Sequence, residues 1–205
     1  MQHFEAVWAR SAELSAIHAY LANNVSAALH PEELLRSEWA ARICALDLYV
    51  HELVAQRMVA IFEGRLPSTP KFLSFQISAE TLNRIRNART NVDASAAFDL
   101  EVRSQLGRST FQHPDNIAEG IRLCSVVELW NEVALQFGAT PQTRIAKAKA
   151  IRGSLSLMVE RRNKIVHEGD LQPTTSRDPW PITQADVALV STHVQNIVRA
   201  IDKVV

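Results

Sequence analysis

The chain has 205 residues, 47% hydrophobic and 21% charged, and its 22 Lys+Arg balance 22 Asp+Glu. That is ordinary for a globular core of one domain, and the balance excludes binding nucleic acid or anionic lipid through overall charge. Six glycines argue against a turn-rich β-sandwich or a Gly-loop nucleotide fold, and two distant cysteines, Cys44 and Cys124, argue against a disulfide framework and a cysteine zinc site.

The start, MQHFEAVWARSAEL, has no basic n-region and no long apolar run, and no stretch approaches ~18 uninterrupted apolar residues. A cytoplasmic chain without a membrane partner is the expectation. Phe4, Val7, Trp8, Leu14, Ile17 and Leu21 recur at three- and four-residue steps and predict a first helix ending near Asn23-Asn24. Pro31 suits the first position of a second, longer helix. Its stripe runs Ile43, Leu46, Val50, Leu53/Val54, Met58 and Ile61 to Gly64.

Gly64, Pro67 and Pro70 break the pattern over 64–77, and Phe72, Leu73, Phe75 and Ile77 make that segment too apolar for a floppy linker. Ser78 is placed to cap a helix through about Ala88, and Asp93 another through about Leu106. After a loop, GRSTFQHPDN, come helical runs Ile117–Leu123 and Val126–Phe137, stopped at Gly138. Pro141 or Thr143 opens a long helix over about 142–168, with Ile145, Leu155 and Val159 on its stripe and Gly169 at a left-handed cap. Three prolines make 171–181 a loop. Thr183 and Asp186 read as a capping box for a last helix with the stripe Val187, Val190, Val194, Ile197, Val198 and Ile201. With no strand alternation, the expected fold is an all-α bundle without a domain boundary.

The neutral total hides an asymmetry. Residues 1–63 hold four basic and eight acidic residues, whereas 142–166 hold seven basic residues and one acid, Glu160. Such a helix is either a phosphate-contacting surface or a solvated face, and charge does not decide between them.

Its end, MVERRNKIVHEGD, contains Arg162, four residues and then His167. At ~100° per residue, Asn163 and His167 lie one turn apart on one face and Glu160 shares their strip, while Arg162 needs its long side chain to reach a common ligand. RNA phosphodiester cleavage needs a proton donor or acceptor of the imidazole type, and fixed positive charge where the pentavalent phosphate develops. His167 and Arg162 supply these, and Asn163 can orient the imidazole or bind the ribose or phosphate. The helix C-terminal dipole, with Glu168 and Asp170 nearby, suits an imidazolium acting as general acid. The bland alternative is a His that merely caps carbonyls. No H-E-x-x-H and no second His at ligand spacing near His167 points to a metal.

RRNKIVHEGD resembles the R-x4–6-H signature of the HEPN superfamily. ALDLYVHELV (Ala45–Val54) with the TPKFLSF loop, and HEGDLQPT…DPWPITQADV with Asp170, Pro173, Trp180, Pro181, Ile182 and Asp186, resemble its RiboL-PSP-HEPN branch. The likeness spans about 35–203, within a core taken as 31–203 after an N-terminal helical segment, 1–30. It implies an all-α bundle with a long antiparallel helix core and extra short helices, dimerising to bring two R-x4-H motifs into one cleft. The implied activity is a metal-independent, cofactor-free endoribonuclease leaving 2′,3′-cyclic phosphate ends, a toxin or defence effector that acts on RNA and can have an antitoxin or defence-system partner. The alternative in the same superfamily is a non-catalytic dimerisation, RNA-binding or protein-interaction module. Arg162 and His167 match the catalytic pair and Asn163 the polar residue after the Arg; Arg161, Lys164 and Glu160 stand as substrate-binding or orienting residues beside them. Members controlled by a partner nucleotidyltransferase carry a Tyr two positions after the His, where this chain has Gly169.

Asp47 and His51, one turn apart, either line the cleft or form a bound pair beside the core stripe. His113 reads as a loop or capping residue, Trp39 and Trp130 as core anchors, and both cysteines as buried small hydrophobes.

Overall fold

A computed structural model describes residues 2–24 and 30–205, with side chains from Phe4 onward. The parts of the 1–30 segment at residues 1 and 25–29 lie outside the described residues. Among those described there are nine helices and no strand: α1 (Gln2–Asn24), α2 (Glu32–Phe62), α3 (Pro70–Leu73), α4 (Ala79–Arg86), α5 (Asn91–Leu106), α6 (Pro114–Arg122), α7 (Leu129–Gln136), α8 (Arg144–Glu168) and α9 (Gln184–Val204). None is long and apolar enough to cross a membrane.

The helix α2 is the axis of the bundle. Its expected stripe is buried from Ile43 to Ile61, and Leu35, Trp39, Ala45, Tyr49 and Ala55 are buried as well, because α1, α5, α6, α8 and α9 all pack against it. The start of α2 meets the end of α8, where Trp39 Nε1 donates to the Met158 carbonyl at 3.0 Å. Every residue of the α9 stripe is buried, and the Thr183–Asp186 capping box is formed in both directions.

Some local expectations need correction. The stripe of α1 turns polar after Trp8. Ser11 is buried, Ser15 donates to Glu38, and Ile17 is 47% exposed. The partner surface explains this: Glu38 and Arg42 form a buried pair at 2.6 Å, with the Arg42 guanidinium 4.1 Å from the Trp8 ring and donating to the Trp8 carbonyl. The charged pair on α2 is met by the Ser15 hydroxyl and the Trp8 carbonyl, while the Ser11 hydroxyl donates within α1 to that same carbonyl. The cap of α5 is Thr90, and Asp93 is the reciprocal acid of its capping box. The stripe of α8 begins at Ala148, since Ile145 in its first turn is 71% exposed.

The 64–77 segment is ordered by its aromatics, as expected. Phe72 and Phe75 pack around Phe98, on which Phe62 stacks at 4.5 Å, but Leu73 is exposed. Gly120 on α6 is required by the next turn of the core, because a Cβ there would come within 2.7 Å of the Phe111 ring.

Candidate active site

The basic helix ends as its sequence demands. Gly169 takes a left-handed conformation (φ +66°) and returns its N–H to the Lys164 carbonyl, terminating α8 one residue after Glu168. Asp170 follows, also at positive φ (+56°), which carries its side chain inward, where it is fully buried. One carboxylate oxygen, Oδ2, accepts from Arg36 Nε at 3.2 Å and Arg161 Nη2 at 3.1 Å. Arg36 also donates to the Trp180 carbonyl and Arg161 to the Pro181 carbonyl, at 2.7 and 2.8 Å. The Arg161 guanidinium lies 5.0 Å from the Trp39 ring. This network clasps α2, α8 and the 171–181 loop.

Two expectations change here. Arg161 is committed to the clasp, and is not grouped with Arg162 and His167. Asp170, read from the sequence as a neighbour of His167, turns its carboxylate to two guanidinium groups inside the protein, with its Oδ1 buried without a hydrogen-bond partner. The positive φ at Asp170 carried no sequence signal, because Gly169 alone accounts for a helix stop.

Arg162 leaves α8 about 100° further round than Arg161 and meets a different environment. Its Nη1 donates to Asn163 Oδ1 at 3.1 Å, and its Nη2 approaches Cys44 Sγ at 3.7 Å. Its Nε, like that of Arg161, is buried without a hydrogen-bond partner. No carboxylate pairs with it among the described residues. Asn163 is thus brought to Arg162, while its helix face carries it beside His167 one turn on. His167 is exposed in the last turn of α8 and makes no side-chain hydrogen bond or ion pair within the described residues. Glu160 and Lys164 are exposed and line, with Arg161, Leu157, Asp170 and Trp180, a shallow groove of about 270 Å³ on the clasp side.

Cys44 departs from expectation. It is exposed, on the one strip of α2 that other helices leave open, whereas Cys124 is buried and burial pushes its thiol up to about 11. Asp47 and His51 continue that open strip at 3.6 Å from each other. They anchor the loop before α6: Asp47 accepts from the Phe111 backbone N–H and from Gln112 Nε2, and the His51 ring lies 4.5 Å from that of Phe111. Their polar atoms serve the protein, though their position borders Cys44 and Arg162.

A further pair escaped the sequence. His113 is the N-cap residue of α6 without a capping side-chain bond, and its Nε2 is 3.3 Å from Ser156 Oγ on α8. Its only sequence signal was its neighbour Pro114, which marks a helix start. A groove of about 700 Å³ opens at this pair between α6, α7 and α8 and is lined by neither Arg162 nor His167.

Among the described residues, the C-terminal end of α8 therefore presents a guanidinium without a carboxylate, an amide and an imidazole without a side-chain partner on an open face, a set of groups that suits a phosphate. No protein-family model matches the chain, and no match is found among curated proteins or solved structures.

Proposed function

We infer that the chain is a metal-independent endoribonuclease of the HEPN kind, working as a homodimer whose two R-x4-H motifs share one cleft. The observation that carries this is the state of Arg162 and His167, which among the described residues are a cation without a carboxylate and an imidazole without a side-chain partner, at the end of one helix. Arg36, Arg42 and Arg161 each meet a carboxylate, whereas Arg162 meets none among the described residues. Because the pair lies on an open face, a second copy supplies the walls that exclude water and focus charge on the phosphate.

In this mechanism a His167 takes the proton of the RNA 2′-hydroxyl as the 2′-oxygen attacks phosphorus. The P–O5′ bond breaks, and the His167 of the partner protomer gives a proton to the departing O5′. The product is a 2′,3′-cyclic phosphate and a free 5′-hydroxyl. Arg162 stabilises the charge that builds on the non-bridging oxygens, and Asn163 orients the guanidinium through its Oδ1. Such an activity suits a toxin or defence effector.

Purified protein should cut single-stranded RNA in the presence of EDTA, leaving cyclic phosphate ends, and its expression should arrest growth. His167→Ala should abolish both. Cutting by His167→Ala at the parent rate sinks the proposal, and saturable RNA binding without any cutting points to a non-catalytic module instead.

A further inference from the structure

The candidate site occupies only the end of a longer strip. Lys149, Ser156, Glu160, Asn163 and His167 all leave α8 within about 40° of one direction, over five turns. At its far end the strip enters the 700 Å³ groove, a volume in the range of ligand-binding clefts.

Three features of this groove find no explanation in the fold. Gly153 sits in the middle of a 25-residue helix, where glycine is disfavoured, yet a Cβ there would meet nothing within 4 Å. No neighbour needs that residue to be bare; the space left open is the groove itself. Lys149 is exposed and has no ion-pair partner among the described residues, and Arg152 beside it shares only Asp115, at 2.6 Å on the surface. Ile145, 71% exposed, adds an apolar wall beside Val127, which is half-buried against the core.

We propose that this groove holds the RNA strand beyond the scissile phosphate. The sugar–phosphate chain passes over Gly153, a phosphate rests on Lys149, and a base lies against Ile145 and Val127. The inference rests on the endoribonuclease assignment and adds a second contact on the same strand. Ser156 and His167 are eleven residues apart, about 16 Å along the helix axis, so one strand reaches both.

The test uses a labelled 12-nucleotide single-stranded RNA and protein carrying His167→Ala, which keeps the probe intact. Adding Gly153→Leu fills the groove with a good helix former, so the melting temperature should hold or rise while affinity falls about tenfold or more. Lys149→Glu is a second variant that leaves the helix intact; it should weaken binding and flatten its dependence on salt. Unchanged affinity in both variants overturns the groove. Cleavage by the parent with unchanged affinity in Gly153→Leu leaves the nuclease standing and removes only the groove. RNA binding that Gly153→Leu abolishes, in a parent that does not cut, removes the nuclease and keeps the groove. No RNA binding by any form overturns both.

Discussion

Arg161 and Arg162 are neighbours in sequence and opposites in use. Arg161 has a carboxylate, a carbonyl and an indole face, and it shares with Arg36 the buried charge of Asp170. Arg162 has an amide oxygen and a thiol and meets no carboxylate among the described residues, while the Nε of each arginine is buried without a hydrogen-bond partner. A buried cation is costly unless its charge is met. The first arginine therefore belongs to the architecture. The second meets no carboxylate among the described residues, and under the proposed function its charge serves a phosphate; the helix twist of ~100° per residue is what separates them.

The largest effect that would break this comparison is on the architectural side. Asp170→Ala leaves Arg161 without a carboxylate and Arg36 with only the exposed Glu33, and loss of one member of a buried pair costs about 3–5 kcal/mol. For a chain of this size that lowers the melting temperature by roughly 10 °C; a shift under a few degrees would mean the clasp is not what holds α8 to α2. Next comes the loop held by Asp47. Gly120→Ala drives a methyl against the Phe111 ring and should cost about 1–3 kcal/mol by chemical denaturation. If stability is unchanged, the Phe111 anchor is looser than the core around it.

Smaller effects sharpen the open side. Glu160 stands on the strip between the groove and His167, so Glu160→Gln should tighten RNA binding a few-fold at low salt and do nothing to the melting temperature. Weaker binding would make Glu160 a ligand-orienting group after all. The smallest effect concerns a committed histidine. Burial holds the His193 imidazole below its ordinary value against an opposing bond to the Ile151 backbone, with Lys147 adding to the depression. The folded state thus resists protonation. The stability this represents is present above about 6.5, the ordinary value, and is lost as the pH falls from there through the folded value. Melting curves from pH 7.5 to 5 should show the parent losing more than His193→Gln; parallel losses would contradict it.

How much of this was legible in the sequence depends on range. The Thr183–Asp186 cap, the Gly169 stop and the α9 stripe are local, set by a few neighbouring residues, and the structure has all three. The exposed Cys44, the polar seam of α1 and the inward turn of Asp170 depend on pairings such as Arg36 with Asp170, far apart in the chain. Periodicity does not register which face of a nearly all-buried helix such as α2 is left open. The same limit hid the groove: His113 and Ser156 come from different helices, and Gly153 becomes informative only once the space beside it is known to be empty.

The central claim is that adjacent arginines divide structure from chemistry, and one paired experiment tests it most directly. Arg161→Ala and Arg162→Ala are assayed side by side for melting temperature and for RNA cleavage in EDTA. Arg161→Ala should melt several degrees lower and, below its transition, still cut RNA. Arg162→Ala should melt within about 2 °C of the parent, as a surface change does, and lose cleavage by at least ~10²-fold. Equal melting and equal cutting by the two variants, or the reverse assignment, would contradict the account.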